Sequence, residues 1–123
     1  MDMLNQFGKE FIQEVRDRSF RKYFKTKAGE MRAEKDKELH KQLSKFDEEQ
    51  IKVVDDIVLD MLEFMLHQNL FFFENTSNWA ITLKDELSKT SLIDLAEESD
   101  GLSGELYSED GWISNYSEYP YNE

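Results

Sequence analysis

The 123-residue chain carries 27 Asp and Glu against 15 Lys and Arg, a net charge of −12, and no cysteine. That balance opposes nucleic acid and anionic membranes as partners, and the lack of thiols excludes disulfides, cysteine nucleophiles and thiolate metal sites. The length predicts one domain, residues 1–123, and the 39% hydrophobic and 13% aromatic content is enough for a core and argues against wholesale disorder.

The charge is unevenly placed. Residues 1–50 hold 12 Lys and Arg with 11 Asp and Glu, a net of +1, whereas residues 51–123 hold 3 and 16, a net of −13. The opening, MDMLNQFGKEFIQEV, lacks the basic start and unbroken apolar run of a secretory signal. The longest apolar region, 51–73, contains Asp55, Asp56, Asp60 and Glu63, a pattern unlike a membrane span. A cytoplasmic protein is expected.

Leu4, Phe7, Phe11 and Val15 recur at spacings of three and four and predict a helix over about 4–24, with Phe20, Tyr23 and Phe24 continuing it after a phase shift. Gly29 marks a break. Residues 30–45 are nearly all polar with a thin stripe of Leu39, Leu43 and Phe46, which predicts a mostly exposed helix. The basic run RDRSFRKYFKTK, 16–27, is expected to dock on the protein's own acidic half rather than on nucleic acid.

The sharpest local signal is KFDEEQIKVV. With Asp47 as N-cap, Gln50 falls at the third helical position, where it completes a capping box, while Phe46 and Ile51 form a hydrophobic staple. Glu48 and Glu49 suit the positive end of the helix dipole. The helix then predicted, about 48–69, is apolar over most of its circumference, so it should be surrounded by protein as the central element. Its polar stripe holds Glu49, Lys52, Asp56, Asp60, Glu63 and His67; Asp55 lies off the stripe and needs a partner if buried. Three consecutive phenylalanines, Phe71, Phe72 and Phe73, cannot share one face and are expected to end the helix, with a loop over Asn75–Asn78 after them. WAITLKDELSK, 79–89, reads as a short strand or a helix, and Ser91 as the cap of the next turn.

The last segment, 99–123, combines six carboxylates with five aromatic rings and no Lys or Arg. Disordered tails are poor in aromatics, so the segment is expected to pack on the domain with its acids outward. Two shapes compete: a helix capped by Ser108 with Trp112 and Tyr116 at i,i+4, or a hairpin turning at Asp110-Gly111.

The expected fold class is mainly α, a compact single-domain helical bundle around one buried central helix. The expected function is a non-enzymatic, acidic protein–protein interaction module, in chemical terms like an immunity protein or antitoxin that meets a basic partner. Its contact residues would be Glu105, Tyr107, Glu109, Asp110, Trp112, Tyr116 and Tyr119, since Tyr and Trp are common interface anchors. One alternative is a metal-binding protein or enzyme using Asp56, Asp60, Glu63 and His67, although these project from a single helix at i,i+4 spacing and lack the paired Glu-x-x-His of carboxylate di-iron sites. Another is a structural homo-oligomer joined through Phe71, Phe72 and Phe73. There is no glycine-rich phosphate loop, DGLSGELYSEDG misses calcium-loop spacing, and no cofactor is expected.

Overall fold

The computed structural model describes residues 2–83 and 93–120. Among these the architecture is mainly helical: α1 (Met3–Phe11), a π-helical segment (Ile12–Asp17), α2 (Arg18–Ala28), α3 (Glu34–Leu43), α4 (Glu48–Asn75), a 3₁₀ turn (Leu102–Leu106) and α5 (Trp112–Tyr116). The only β pairing among the described residues is an isolated antiparallel bridge between Thr82 and Asp94. The expected helix or strand over 79–89 and the Ser91 cap fall mostly outside the described residues.

α1, the π segment and α2 form one continuous helical rod. Asp2 caps it by accepting from the Asn5 N–H at 2.8 Å. The phase shift seen in the sequence has its cause in the π turn. A turn closed by i→i+5 bonds holds an extra residue and rotates every later side chain about the helix axis. Val15, in step with Leu4, Phe7 and Phe11, is therefore turned to solvent, and Ile12, Arg16, Asp17 and Phe20 are buried. Gly29 ends α2 with φ +78°, in the left-handed region open to glycine. The N–H of Glu30 bonds the carbonyl of Lys25 at 2.9 Å and that of Gly29 bonds Thr26 at 3.2 Å, the Schellman closure. α3 folds back on α2, where His40 Nδ1 meets the Lys27 carbonyl at 2.9 Å, and most of its side chains are exposed.

α4 starts where the capping signals place it. The Gln50 N–H donates to Asp47 Oδ1 at 2.8 Å, and the Asp47 N–H donates to Gln50 Oε1 at 2.9 Å. Asp47→Ala removes one acceptor for the free N–H groups of the first turn and should lower stability by about 0.5–2 kcal/mol. An unchanged urea midpoint would contradict that.

Two features of α4 differ from expectation. It runs to Asn75, through the phenylalanine run rather than stopping before it. A helix accommodates three consecutive rings by spreading them around its circumference: Phe73 turns toward the core, while Phe71 and Phe72 are exposed. The helix is also covered on one side only, rather than enclosed. Leu66 and Leu70 are its buried residues, in its C-terminal half. The physical reason is where the other elements go. α3 packs on α2, and the C-terminal segment packs against α1, the π segment and the end of α4, so nothing among the described residues crosses the far side.

The core is Ile12, Leu66, Leu70, Leu102, Leu106, Trp112 and Ile113, with Leu4, Phe7, Phe11 and Phe73 packed against it. Residues 99–116 form neither a hairpin nor a helix begun at Ser108. Glu74 in the last turn of α4 accepts from the Ser103 N–H at 2.8 Å and its hydroxyl at 2.9 Å, which seats the 3₁₀ turn on α4. α5 begins at Trp112 after Gly111, and Ser108 has φ +79° with its carbonyl taken by the Ser114 hydroxyl at 2.9 Å. Local turn chemistry at Asp110-Gly111 is outweighed by burial of Leu102, Leu106, Trp112 and Ile113 on one surface, which a two-stranded ribbon with alternating faces could not achieve.

Candidate partner-binding face

Among the described residues, the outward side of α4 carries a run of exposed large apolar side chains. At about 100° per residue, Val53, Ile57, Met61, Phe64, Met65 and Phe72 fall within roughly 120° of one another, and each is between 52 and 67% exposed. Full side-chain surfaces of about 150–250 Å² for aromatic residues set the scale, so these six leave roughly 700 Å² uncovered. Scattered exposed apolar residues are ordinary, whereas the largest contiguous apolar patch on a typical monomer is about 300–600 Å². Glu49, Asp56 and Asp60 run along one edge of the stripe, and all three are exposed.

Beside that edge lies an open groove of about 830 Å³ between α4, α2 and the strap 117–120. Its floor is apolar, with Phe20, Phe24 and Leu59, and Asp56, Asp60, Glu63 and Glu118 stand around it. Ile57 and Met61 form the outer lip, so groove and stripe are continuous.

The strap is fixed by the two most deeply buried charges among the described residues, Arg16 and Asp17, at 4% and 2% exposure. Arg16 Nη1 donates to the Ser117 hydroxyl at 2.7 Å and to the Tyr119 carbonyl at 2.8 Å. Its Nη2 and Nε donate to Glu63 Oε1 at 3.1 and 3.4 Å, and its guanidinium lies 4.1 Å from the centre of the Phe20 ring. Asp17 accepts from the Ser117 hydroxyl at 2.7 Å and the Glu118 N–H at 2.8 Å. Ser117 also accepts from the Tyr119 N–H at 2.8 Å, so its one donor and both lone pairs are used. Arg21 pairs with Glu118 at 2.7 Å on the surface.

Asp55 has the partners its position demands. Tyr23 donates its hydroxyl to Asp55 Oδ1 at 2.6 Å and Lys27 pairs with it at 2.8 Å. The basic run 16–27 therefore does meet the acidic half, through Arg16–Glu63, Lys27–Asp55 and Arg21–Glu118. Burial, then the bond to Asp55, push the Tyr23 hydroxyl well above its ordinary range. The unfolded chain then loses this proton first. The stabilisation is complete below the ordinary tyrosine value of about 10 and is lost as pH rises toward the higher folded value. Tyr23→Phe keeps the Lys27–Asp55 pair and should flatten the alkaline fall of the urea midpoint; equal slopes in variant and parent would contradict this.

The seven C-terminal contact candidates occupy two settings. The rings turn inward. Trp112 is buried and donates Nε1–H to Asn5 Oδ1 at 3.1 Å; Tyr119 sits with its ring 5.2 Å from that of Phe24 and 6.4 Å from that of Phe20. Tyr107 places its hydroxyl 3.1 Å from His67 Nδ1, its own proton held more tightly by burial and by the nearby Glu63 charge, and Tyr116 is half-buried against the core. Glu105 is half-buried and accepts from the Ser99 hydroxyl at 2.9 Å. Glu109 and Asp110 are exposed, in the turn before α5.

The four residues of the metal alternative are likewise separated. Glu63 is committed to Arg16, and His67 faces Tyr107 and stacks on Phe71 with centroids 5.8 Å apart. Asp56 and Asp60 stay on the groove rim. Among the described residues no three His, Asp or Glu side chains are grouped to hold a metal ion. None of the described helices is long and apolar enough to cross a membrane. Sequence reasoning missed the buried Arg16–Asp17 pair. Its signal was the phase shift, since any rotation that brings Phe20 inward carries residues 16 and 17 with it.

Comparison with known family models, curated proteins and solved structures finds no match, so the reading rests on the residues themselves.

Proposed function

We propose that this protein is a non-enzymatic interaction module that binds a basic protein partner, chemically akin to an acidic immunity protein or antitoxin. The observation that carries the reading is the uncovered apolar side of α4, edged by Glu49, Asp56 and Asp60, in a chain of net charge −12. Apolar area supplies affinity once water is expelled, and the carboxylate edge selects a cationic partner and speeds its capture at low salt. The C-terminal segment, with Glu109 and Asp110 outward, adds to the field that draws such a partner in.

The test is capture from the native host on the immobilised protein, with retained proteins identified by mass spectrometry. A basic protein should be retained at low salt, released as salt rises, and lost with a Phe64→Ser/Met65→Ser variant. Both residues are exposed, so the variant should keep the parent's helical circular dichroism. Retention of the same proteins by variant and parent, with one salt dependence, would overturn the reading.

A further inference from the structure

The stripe on α4 has a spacing that specifies more than an apolar patch. Val53, Ile57, Met61, Phe64 and Phe71, with the polar Gln68 in the place before Phe71, succeed one another at intervals of four, four, three, four and three. Alternating threes and fours are the spacing into which the side chains of a second helix interlock. From Val53 to Phe72 the stripe is about 28 Å long at 1.5 Å per residue, the length of a helix of some five turns. Resting on the interaction reading above, we infer that the occupant is a cationic amphipathic α-helix of the partner. It lies along α4 with its apolar stripe on Ile57 and Phe64 and its Lys or Arg edge against Glu49, Asp56 and Asp60.

The charge pattern chooses this occupant over a second copy of the chain. Glu49, Asp56 and Asp60 stand at i, i+7 and i+11, one above another along the same edge. Among the described residues none of the three is in an ion pair; the exposed Lys52 is the one cation on their stripe, and Arg16, which lines the groove, is committed to Glu63. In an antiparallel two-fold pair of α4 helices the like edges fall on the same side of the seam, so a second copy brings to that edge the same carboxylates and a single cation, Lys52. A basic helix instead neutralises the row and removes the like-charge repulsion between Asp56 and Asp60. The groove behind the edge suits one long basic side chain: its aliphatic stem would lie over Phe20, Phe24 and Leu59 while its head reaches Asp56 and Asp60. This is the helix-in-groove mode of recognition, with anchors at i, i+3, i+4 and i+7.

The probe is a fluorescein-labelled synthetic 22-residue helix with leucines at three–four spacing and lysines along one edge. Its controls are the same peptide with glutamates for lysines, and one with a central proline. Fluorescence anisotropy should show saturable binding of the basic helix, no binding of the acidic one, and weaker binding of the proline peptide, which cannot stay helical. Asp56→Asn/Asp60→Asn should weaken binding about three- to tenfold at low salt, the scale of two partly exposed ion pairs, and flatten its salt dependence. Ile57→Ser/Phe64→Ser should weaken it at every salt concentration. Failure of the basic helix to bind, equal binding of the acidic or proline peptide, or indifference to both double variants would overturn the inference. Sedimentation equilibrium showing a dimer that Phe64→Ser dissolves would also overturn it and make a second copy the occupant. If the peptide fails but a basic host protein is still lost from the Phe64→Ser/Met65→Ser variant, the interaction reading stands without the helical partner; if both fail, both fall.

Discussion

Arg16→Met should cost about 3–5 kcal/mol of unfolding free energy, the usual result of removing one partner from a buried ion pair. The methionine fills much of the space but donates nothing. Asp17, at 2% exposure, keeps the bonds from Ser117 and Glu118 but loses the cation 3.6 Å away. Glu63 loses its partner as well, and the carbonyl of Tyr119 loses its donor. Arg16→Lys should recover only part of the loss, because an ammonium cannot present separate donors to Ser117, Tyr119 and Glu63 in one plane. Urea denaturation monitored by far-ultraviolet circular dichroism gives the difference directly. A loss under about 1 kcal/mol, the range of surface pairs, would mean the cluster is more hydrated than its burial indicates. A methionine variant that folds as well as the parent would remove the assigned role of Arg16 altogether.

Trp112→Ala should be of similar size, about 3–5 kcal/mol for truncating a buried aromatic. Trp112 is 1% exposed, meets Phe7 edge-to-face with centroids 5.8 Å apart, and bonds Asn5 through its indole N–H. Gly8 belongs to the same contact: a Cβ placed there would run into the indole of Trp112. Gly8→Ala should therefore destabilise by overpacking, about 1–3 kcal/mol, in spite of alanine's better helix propensity. The two tryptophans allow an optical check, since Trp79 is 65% exposed. Iodide should quench one part of the emission and leave a blue-shifted part that disappears in Trp112→Ala. Emission from Trp112 that iodide quenches as readily as that of Trp79 would place α5 away from α1 and contradict the packing.

The features legible in the sequence were those that neighbouring residues decide. Asp47, Gln50, Phe46 and Ile51 set the start of α4 within one turn of chain, and Gly29 ends α2 because no side chain is needed there. The inward turn of Trp112 came from its size, as did the need of Asp55 for a partner from its place off the polar stripe. The features that stayed hidden depend on residues far apart in sequence. The π segment changes which residues face inward without changing their hydrophobicity, so Val15 read as buried, and Arg16 read as one member of a basic run docked on the acidic half rather than as a charge enclosed beside Asp17. Phe71 to Phe73 read as a helix end because their own pattern fits neither face of a helix; it is Leu70, Phe73 and Glu74, held by the C-terminal segment, that carry α4 onward. For the candidate site, Val53, Ile57 and Phe64 read as core because a helix apolar nearly all round is normally covered. Whether covering elements exist on both sides is a property of the whole topology. α3 turns back on α2 and leaves that side open.

The strap that Arg16 and Asp17 hold has a consequence for how the chain emerges from the ribosome. Asn5 bonds Trp112, Arg16 bonds Ser117 and Tyr119, and Asp17 bonds Ser117 and Glu118, links that span about a hundred residues. Four of the seven core residues, Leu102, Leu106, Trp112 and Ile113, are also made late. Throughout synthesis of residues 30–100 the first helical rod can meet α4 through Glu63, Leu66 and Leu70, but Asp17 lacks Ser117 and Glu118 and Ile12 lacks the C-terminal half of the core. At translation rates of about 5–20 residues per second, several seconds pass in which the apolar surfaces later covered by Leu102, Leu106, Trp112 and Ile113 stay open to a chaperone or a nascent neighbour. Residues 102–119 supply four of the seven core residues and both hydrogen-bond partners of Asp17, so a chain truncated before Trp112 should be cut by protease more readily than the parent.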